Sequence, residues 1–343
     1  MRIGLTYNVK TLSSSSEAVA DEEEEFDSPE TVAALAAAIE RLGHEVLLLG
    51  DGEPMLRKLL DGPRPELVLN IAEGRGASRT RESRVPAVLE MLGIPHTGSD
   101  PLTLAVTLDK DCGKRLVQAA GIRTAPWVLV EEGDVAAVEE RLSVLTWPLF
   151  VKPAFEGSSK GVLAKSLVHQ RGELDETVAL LYRSCRQPLL VEEFIDGEEL
   201  TVGVVGNRPP KVLGVMRILL KVARAGPFVY NLEVKREWER YLHYECPAKI
   251  SPADTATVEQ AALACWRALG CRDVARFDYR LRAGVPYFLE VNPLPGLSPK
   301  SGDLVFIARF NGIDHTELIG RIIDTALERI GREGGRTKEG DRL

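Results

Sequence analysis

The sequence predicts a mixed α/β protein with a Rossmann-like first domain, and three features of its 343 residues point there. A short apolar strand, an Ala-rich amphipathic stretch and a second apolar strand open the chain as a β-α-β unit. Short apolar strands then alternate with glycine turns through the middle, and the last third mixes strands with two long helical patterns. In order, Ile3, Gly4 and Leu5 form the first strand, and Ser28, Pro29 and Glu30 supply a cap, a first-turn proline and a first-turn acid for a helix that runs to Leu42 and stops at Gly43. Residues 45–49 give the next strand, 65–71 another, 86–92 a helix, and 94–99 a tight exit into a linker near 100–106. The first domain is therefore expected over 1–105. A helix over 108–120 opens a central unit, 106–196, with strands at 127–130, 149–152, 161–165 and 189–195. The third unit, 197–332, carries helices at 252–269 and 314–330, and the Gly-, Lys- and Arg-rich residues 333–343 read as a disordered tail.

Hydrophobic residues make up 44% of the chain, enough at this length to bury several cores, so a globular protein is expected. The net charge of -8 argues against a nucleic-acid partner, because such affinity comes from Lys and Arg neutralising phosphates. Few apolar residues precede the first polar ones and no run reaches membrane-spanning length, so the expectation is a cytoplasmic protein with no membrane partner. The cysteines at 112, 185, 246, 265 and 271 lack paired spacing and read as reduced thiols, mostly buried. The acids 21–25 read as a solvated loop, and Gly74 and Gly76 lack the third glycine of a dinucleotide fingerprint. His96 reads as a structural hydrogen-bonding group, and Trp127, Trp147 and Trp266 as core.

The best constellation of chemical groups lies near the C-terminal end. Residues 273–280 and 286–292 read as two strands joined at Ala283 and Gly284. Side chains two apart share a face of a strand, so Arg276 goes with Asp278, and Glu290 with Asn292. A turn centred on Gly284 sets Asp278 opposite Glu290 and Arg276 opposite Asn292. Two opposed carboxylates repel, which makes sense if a divalent cation such as Mg2+ lies between them; a solvated face of unrelated charges is the alternative. Upstream, Lys152 ends a strand and Glu156, Gly157, Ser158, Ser159, Lys160 and Gly161 form a small-residue loop. Such a loop is a phosphate cradle, with N–H groups, hydroxyls and a lysine converging on an anion, or else a hairpin tip. Residues 189–202 give a strand, a turn at Asp196 and Gly197, and a second strand. Their carboxylates either meet an adenine amino group and ribose hydroxyls or lie on the surface.

In this order, five stretches resemble the ATP-grasp ligases, and within them the D-alanine–D-alanine ligase family: residues 94–99, 107–110, 151–153 with 156–159, 191–194, and 289–296. The resemblance runs over most of the chain from about residue 66 to 330. It implies an ATP-grasp fold, a Rossmann-like N-terminal domain followed by two ATP-grasp subdomains. It implies ATP with Mg2+, or Mn2+, and small-molecule amino-acid substrates, with a homodimer as the family-based assembly. Lys110 and Lys152 are implied on the ATP phosphates, with Glu156, Gly157, Ser158, Ser159 and Gly161 closing over them. Adenine is expected beside Glu192, Phe194 and Ile195, the ribose near Glu199, and a further phosphate contact from Lys235. Asp278, Glu290 and Asn292 are the implied Mg2+ ligands, in agreement with the hairpin geometry. Arg276 and the backbone N–H of Gly296 are implied at the reacting oxyanion, Ser158 is counted with the catalytic groups, and Ser301 is implied at the second substrate's carboxylate.

The implied chemistry follows from the weakness of a carboxylate as an electrophile. It must first take the γ-phosphoryl group of ATP, after which an amine attacks the acyl phosphate and phosphate leaves. The departures from the family fall on substrate selection. Thr6, Tyr7 and Asn8 replace a glycine-rich start, residues 79–83 are longer and more basic, and Arg236 stands where a tyrosine is usual. Glu73 stands where a histidine is usual, and an anion there favours a cationic or amino group. A ligase for another amino-acid pair, a non-catalytic ATP-binding relative and a kinase remain as alternatives. The retained Lys110, Lys152, Asp278, Glu290 and Asn292 speak against the non-catalytic one.

Overall fold

Strand β1 (Arg2–Thr6) lies between β2 (Glu45–Gly50) and β3 (Leu67–Asn70), parallel to both. A computed structural model describes residues 1–10, 23–157, 160–221 and 237–340. Parallel neighbours need crossovers, supplied by helices α1 (Pro29–Arg41) and α2 (Gly52–Asp61). Helix α1 begins as expected, with the Ser28 side chain accepting the Thr31 N–H and Pro29 in its first turn. One face of the sheet buries Ile3, Leu5, Leu67 and Leu69 against Leu35 and Ile39 of α1. The same core takes in Leu304 and Leu318 to Ile323, so the end of the chain returns to close the first sheet. The opposite face packs Leu49 and Val68 on Met55, Leu59, Val85 and Leu89, the last two from α3 (Arg84–Met91).

The expected linker at 100–106 is instead helix α4 (Pro101–Leu108), for Asp100 caps it through the Thr103 N–H and Leu104, Thr107 and Leu108 are buried. Asp109 then caps α5 (Lys110–Ala119) through the Cys112 N–H, which fixes Lys110 as the first residue of that helix. A four-stranded antiparallel sheet follows in the order β4-β7-β5-β6, from β4 (Trp127–Val130), β5 (Leu149–Pro153), β6 (Leu167–Val168) and β7 (Leu189–Glu193). The short α6 (Glu139–Leu142) precedes β5, and α7 (Arg171–Cys185) packs Leu174, Val178 and Leu181 against Leu149, Val151, Leu189 and Val191. The strand expected at 161–165 is not formed: residues 164–166 make a single 3-10 turn, and only Leu167 and Val168 pair with β5.

The last sheet is antiparallel in the order β10-β9-β8-β11-β12, with β8 (Glu198–Val205), β9 (Lys211–Leu220), β10 (Leu242–Glu245), β11 (Val274–Arg282) and β12 (Val285–Asn292). The short α8 (Trp238–Tyr241) leads into β10, and α9 (Pro252–Leu269) covers the face carrying Leu200, Val202, Phe277 and Tyr279. Alternation sends Thr201, Arg276 and Asp278 to the other face, towards the first four-stranded sheet. After α10 (Asp303–Phe310), α11 runs His315–Gly340, so the tail expected to be disordered from 333 continues the helix. Extension of a helix already anchored in a core costs little per residue, and the surface pair Arg329–Glu333 at 3.6 Å sits at its helical spacing. All five cysteines are free; two are buried and three partly so. No described helix is long and apolar enough to cross a membrane.

Candidate active site

The carboxylate pair depends on an irregularity in the hairpin. Arg282 pairs with Val285 across Ala283 and Gly284, which both take positive φ, 50° and 77°, in a tight two-residue turn. That register alone would set Asp278 opposite Leu289. A shift between Asp278 and Tyr279 moves the ladder by one, placing Asp278 opposite Glu290 and Arg276 opposite Asn292, the pairing expected from sequence. Leu289 is the extra residue, and it lines the cleft.

Arg276 is held by two acids, with Nη2 at 2.8 Å from Asp278 and Nη1 at 3.1 Å from Asp303 on the first turn of α10. Thr201 donates to the other Asp278 oxygen at 2.6 Å, and the Asn292 amide nitrogen faces Asp278 at 3.4 Å. Lys110 lies 3.0 Å from Glu290 and donates to the Glu156 carbonyl. Burial raises the Asp278 carboxyl, with the Arg276 charge opposing and Glu290 adding to the rise. Glu290 is equally enclosed, yet Lys110, Lys152 and Arg276 hold it down at about 2.

Between the two antiparallel sheets runs a cleft with apolar walls from Phe150, Val162, Phe194, Ile195, Leu200 and Ile218. Lys110, Lys152, Arg276, Asp278 and Glu290 gather at its polar end. Glu199 lines it with its carboxylate 2.5 Å from Arg280, whose guanidinium lies over the Phe194 ring. Glu192 also lines it, though its oxygens are taken by Lys152 at 2.6 Å and Lys114 at 2.5 Å. Lys114 was not visible as a site residue, although its i+4 spacing from Lys110 puts both on one helix face. Burial pushes its ammonium down to about 8 against the pull of Glu192. Lys114 thus positions Lys152 through Glu192. Where Lys152 meets the ATP phosphates, as the family resemblance implies, Lys114→Met should let Glu192 draw it away from them, raising the KM for ATP about tenfold with kcat changed by less than about threefold. Steady-state kinetics at varied ATP checks this; an unchanged KM counts against the positioning role.

The acids expected in a solvated loop behave otherwise where they are described. The Glu25 carboxylate is 4% exposed, receives both of its Arg81 contacts at 2.7 and 2.9 Å, and accepts the Gly157 N–H at 2.6 Å. Arg81, 1% exposed, also donates to the Phe155 carbonyl and approaches Glu156. Within residues 79–83 it is Arg81 that holds Glu25, while Arg79 pairs with Asp109. Glu156 is further held by Gln187 at 2.7 Å and Lys160 at 3.2 Å. Ser158, Ser159 and Lys235, with Arg236, lie outside the described residues. Gly161 follows the loop at positive φ.

A second, smaller cavity opens from the polar end of the cleft and shares Lys110, Glu156 and Glu290 with it; Glu73, Glu82, Gly157 and Asn292 also line it. Gly296 and Ser301 lie on exposed loop and turn positions and line neither cavity. His96 is buried with Nδ1 3.1 Å from the Thr97 carbonyl, a structural placement. Trp266 is core, but Trp127 is half-buried with its indole N–H on Asp111, and Trp147 is 40% exposed beside Pro148.

The cleft between the two antiparallel sheets meets a second cavity at its polar end, at Lys110, Glu156 and Glu290. That architecture is an ATP-grasp one, and the chain is an ATP-dependent carboxylate–amine ligase. Residues 116–324 match the family described as D-ala D-ala ligase C-terminus. A D-alanine–D-alanine ligase of Aquifex aeolicus is 34% identical over 298 residues, spanning 86% of this chain and 94% of its own. An uncharacterized protein of Sinorhizobium fredii is 35% identical over 309 residues, 86% of this chain and 87% of its own. The crystal structure of a Bacillus anthracis D-alanine–D-alanine ligase complexed with ATP superposes with a TM-score of 0.73 at 25% identity, covering 97% of this chain and 99% of that one. The chain belongs to the D-alanine–D-alanine ligase family.

Proposed function

We propose that the enzyme joins two small amino acids into a dipeptide through an acyl phosphate, with D-alanine as the reference substrate because relatives bear that name. The observation that carries this reading is the junction of the two cavities at Lys110, Glu156 and Glu290. ATP lies with adenine between Phe150, Phe194 and Ile195, the ribose towards Glu199, and the phosphates at Lys110, Lys152 and the loop from Glu156 to Gly161. Asp278, Glu290 and Asn292 fit Mg2+: an all-oxygen set of two facing carboxylates and an amide, without thiol or imidazole, suits a small hard cation. Mg2+ or Mn2+ there supplies charge neutralisation for the phosphates.

The substrate carboxylate, turned towards Lys110, attacks the γ-phosphorus, and the two lysines spread the charge of the transferring group. The amine then attacks the acyl carbon, and Arg276 stabilises the tetrahedral oxyanion, with the Gly296 N–H as a second donor. Glu73 faces the first amino acid and Ser301 the carboxylate of the second. The family resemblance assigns Ser158, Ser159 and Lys235 to the phosphates of ATP. The protein works in the cytoplasm as a homodimer, and its charge of -8 suits it to small solutes rather than to nucleic acid or an anionic membrane.

The test is ADP and phosphate release from Mg-ATP with single and paired D- and L-amino acids, with mass spectrometry of the products. Stoichiometric ADP, phosphate and dipeptide are expected. ADP with a phosphorylated product and no amide would instead make it a kinase.

A further inference from the structure

The second cavity holds two acids that no described residue pairs with directly. Glu73 and Glu82 line it together, yet neither makes a hydrogen bond or ion pair among the described residues, although Glu82 is only 8% exposed. Three of the acids around them are answered, Glu25 and Glu156 by Arg81, Glu156 again by Lys160, and Glu290 by Lys110, whereas burial raises the neighbouring Asp27 carboxyl to about 7. The Arg81 charge favours ionisation of both, yet its direct contacts go to Glu25, Glu156 and the Phe155 carbonyl. A buried carboxylate without a partner is costly unless a ligand answers it. Burial raises both carboxyls, and each is raised further by the other or by neighbouring acids.

We propose that Glu73 and Glu82 form a dicarboxylate subsite that selects a first substrate bearing two ammonium groups, an amino acid with a second amine on a short side chain. The inference rests on the amino-acid ligase reading above. A neutral amino acid brings one ammonium, which answers one glutamate, while its carboxylate turns towards Lys110. The second glutamate then stays uncompensated or holds a proton. An amine on a short side chain answers both, and the small cavity leaves little room for a long one.

The test compares alanine, 2,3-diaminopropionate and 2,4-diaminobutyrate of both chiralities by calorimetric binding and by ADP release, in the wild type, Glu73→Gln and Glu82→Gln. Circular dichroism melts establish that the variants fold, and the isosteric neutral glutamines remove a repulsion rather than packing. A diamino acid should exceed alanine of the same chirality by about tenfold or more in kcat/KM, and each glutamine should erase most of that ratio. Preference for alanine, with the ratio unmoved in both variants, overturns the subsite and leaves the ligase reading intact. Glutamate-dependent binding of the diamino acid without ADP release from any amino acid keeps the subsite and overturns the dipeptide reading. Absence of binding by either diamino acid overturns the subsite.

Discussion

Asp278→Asn and Glu290→Gln should each lower kcat by about a thousandfold or more, corresponding to about 4 kcal/mol of transition-state stabilisation. Both side chains face each other only because of the register shift after Asp278, so neither amide can be replaced by a neighbour. Chelation should abolish wild-type turnover, and Mg2+ or Mn2+ should restore it. The variants should still melt cooperatively, because each amide keeps the shape of the carboxylate it replaces and Arg276 retains Asp303 when Asp278→Asn gives up their ion pair. Glu290 also leaves a signature in acid. Its folded pKa is depressed to about 2, so the stability it contributes is complete above its ordinary range and is lost as pH falls towards that value. Glu290→Gln lacks that term and should show a shallower loss of melting temperature between about pH 5 and pH 3. Turnover within tenfold of wild type in both variants would sink the metal assignment.

The sequence carried the hairpin well, since strand alternation, an Ala283–Gly284 turn and the spacing of four polar residues are all local. It did not carry the reason the pairing works. A turn centred half a residue earlier and a one-residue shift compensate each other, and nothing in the pattern distinguishes that pair of effects from the simple register. Lys110 and Lys152 were legible from motifs as cleft residues, whereas the Lys114 contact with Glu192 spans 78 residues and needed the fold. Glu25 shows the same limit more sharply. A run of acids is usually solvated, but a single arginine 56 residues away, itself enclosed, draws one of them inward to accept the Gly157 N–H. The Asp100 cap and its following proline were in the sequence, yet the exit turn before them suggested a linker. The packing of residues 318–323 onto the first sheet was invisible, because an amphipathic helix does not state which surface it covers.

Arg276→Met should cost both rate and stability, and the two losses should separate. The guanidinium is 13% exposed and bridges Asp278 and Asp303; burial works against its charge, but the two acids outweigh it and raise its pKa. Removing it leaves two enclosed carboxylates without their shared cation, a change that typically costs about 3–5 kcal/mol. It also removes the donor assigned to the oxyanion, with an expected kcat loss of about a hundredfold to a thousandfold. Arg276→Lys should recover part of the stability but little of the rate, since one ammonium cannot present the planar fork that meets two acids and a third oxygen. Adding Asp303→Asn to Arg276→Met removes one of the orphaned charges and should restore melting temperature relative to the single variant. It should leave kcat low, because no donor has been returned to the oxyanion. Recovery of rate along with stability would mean that Arg276 acts only by holding α10 against β11, and the oxyanion would then have to be stabilised elsewhere.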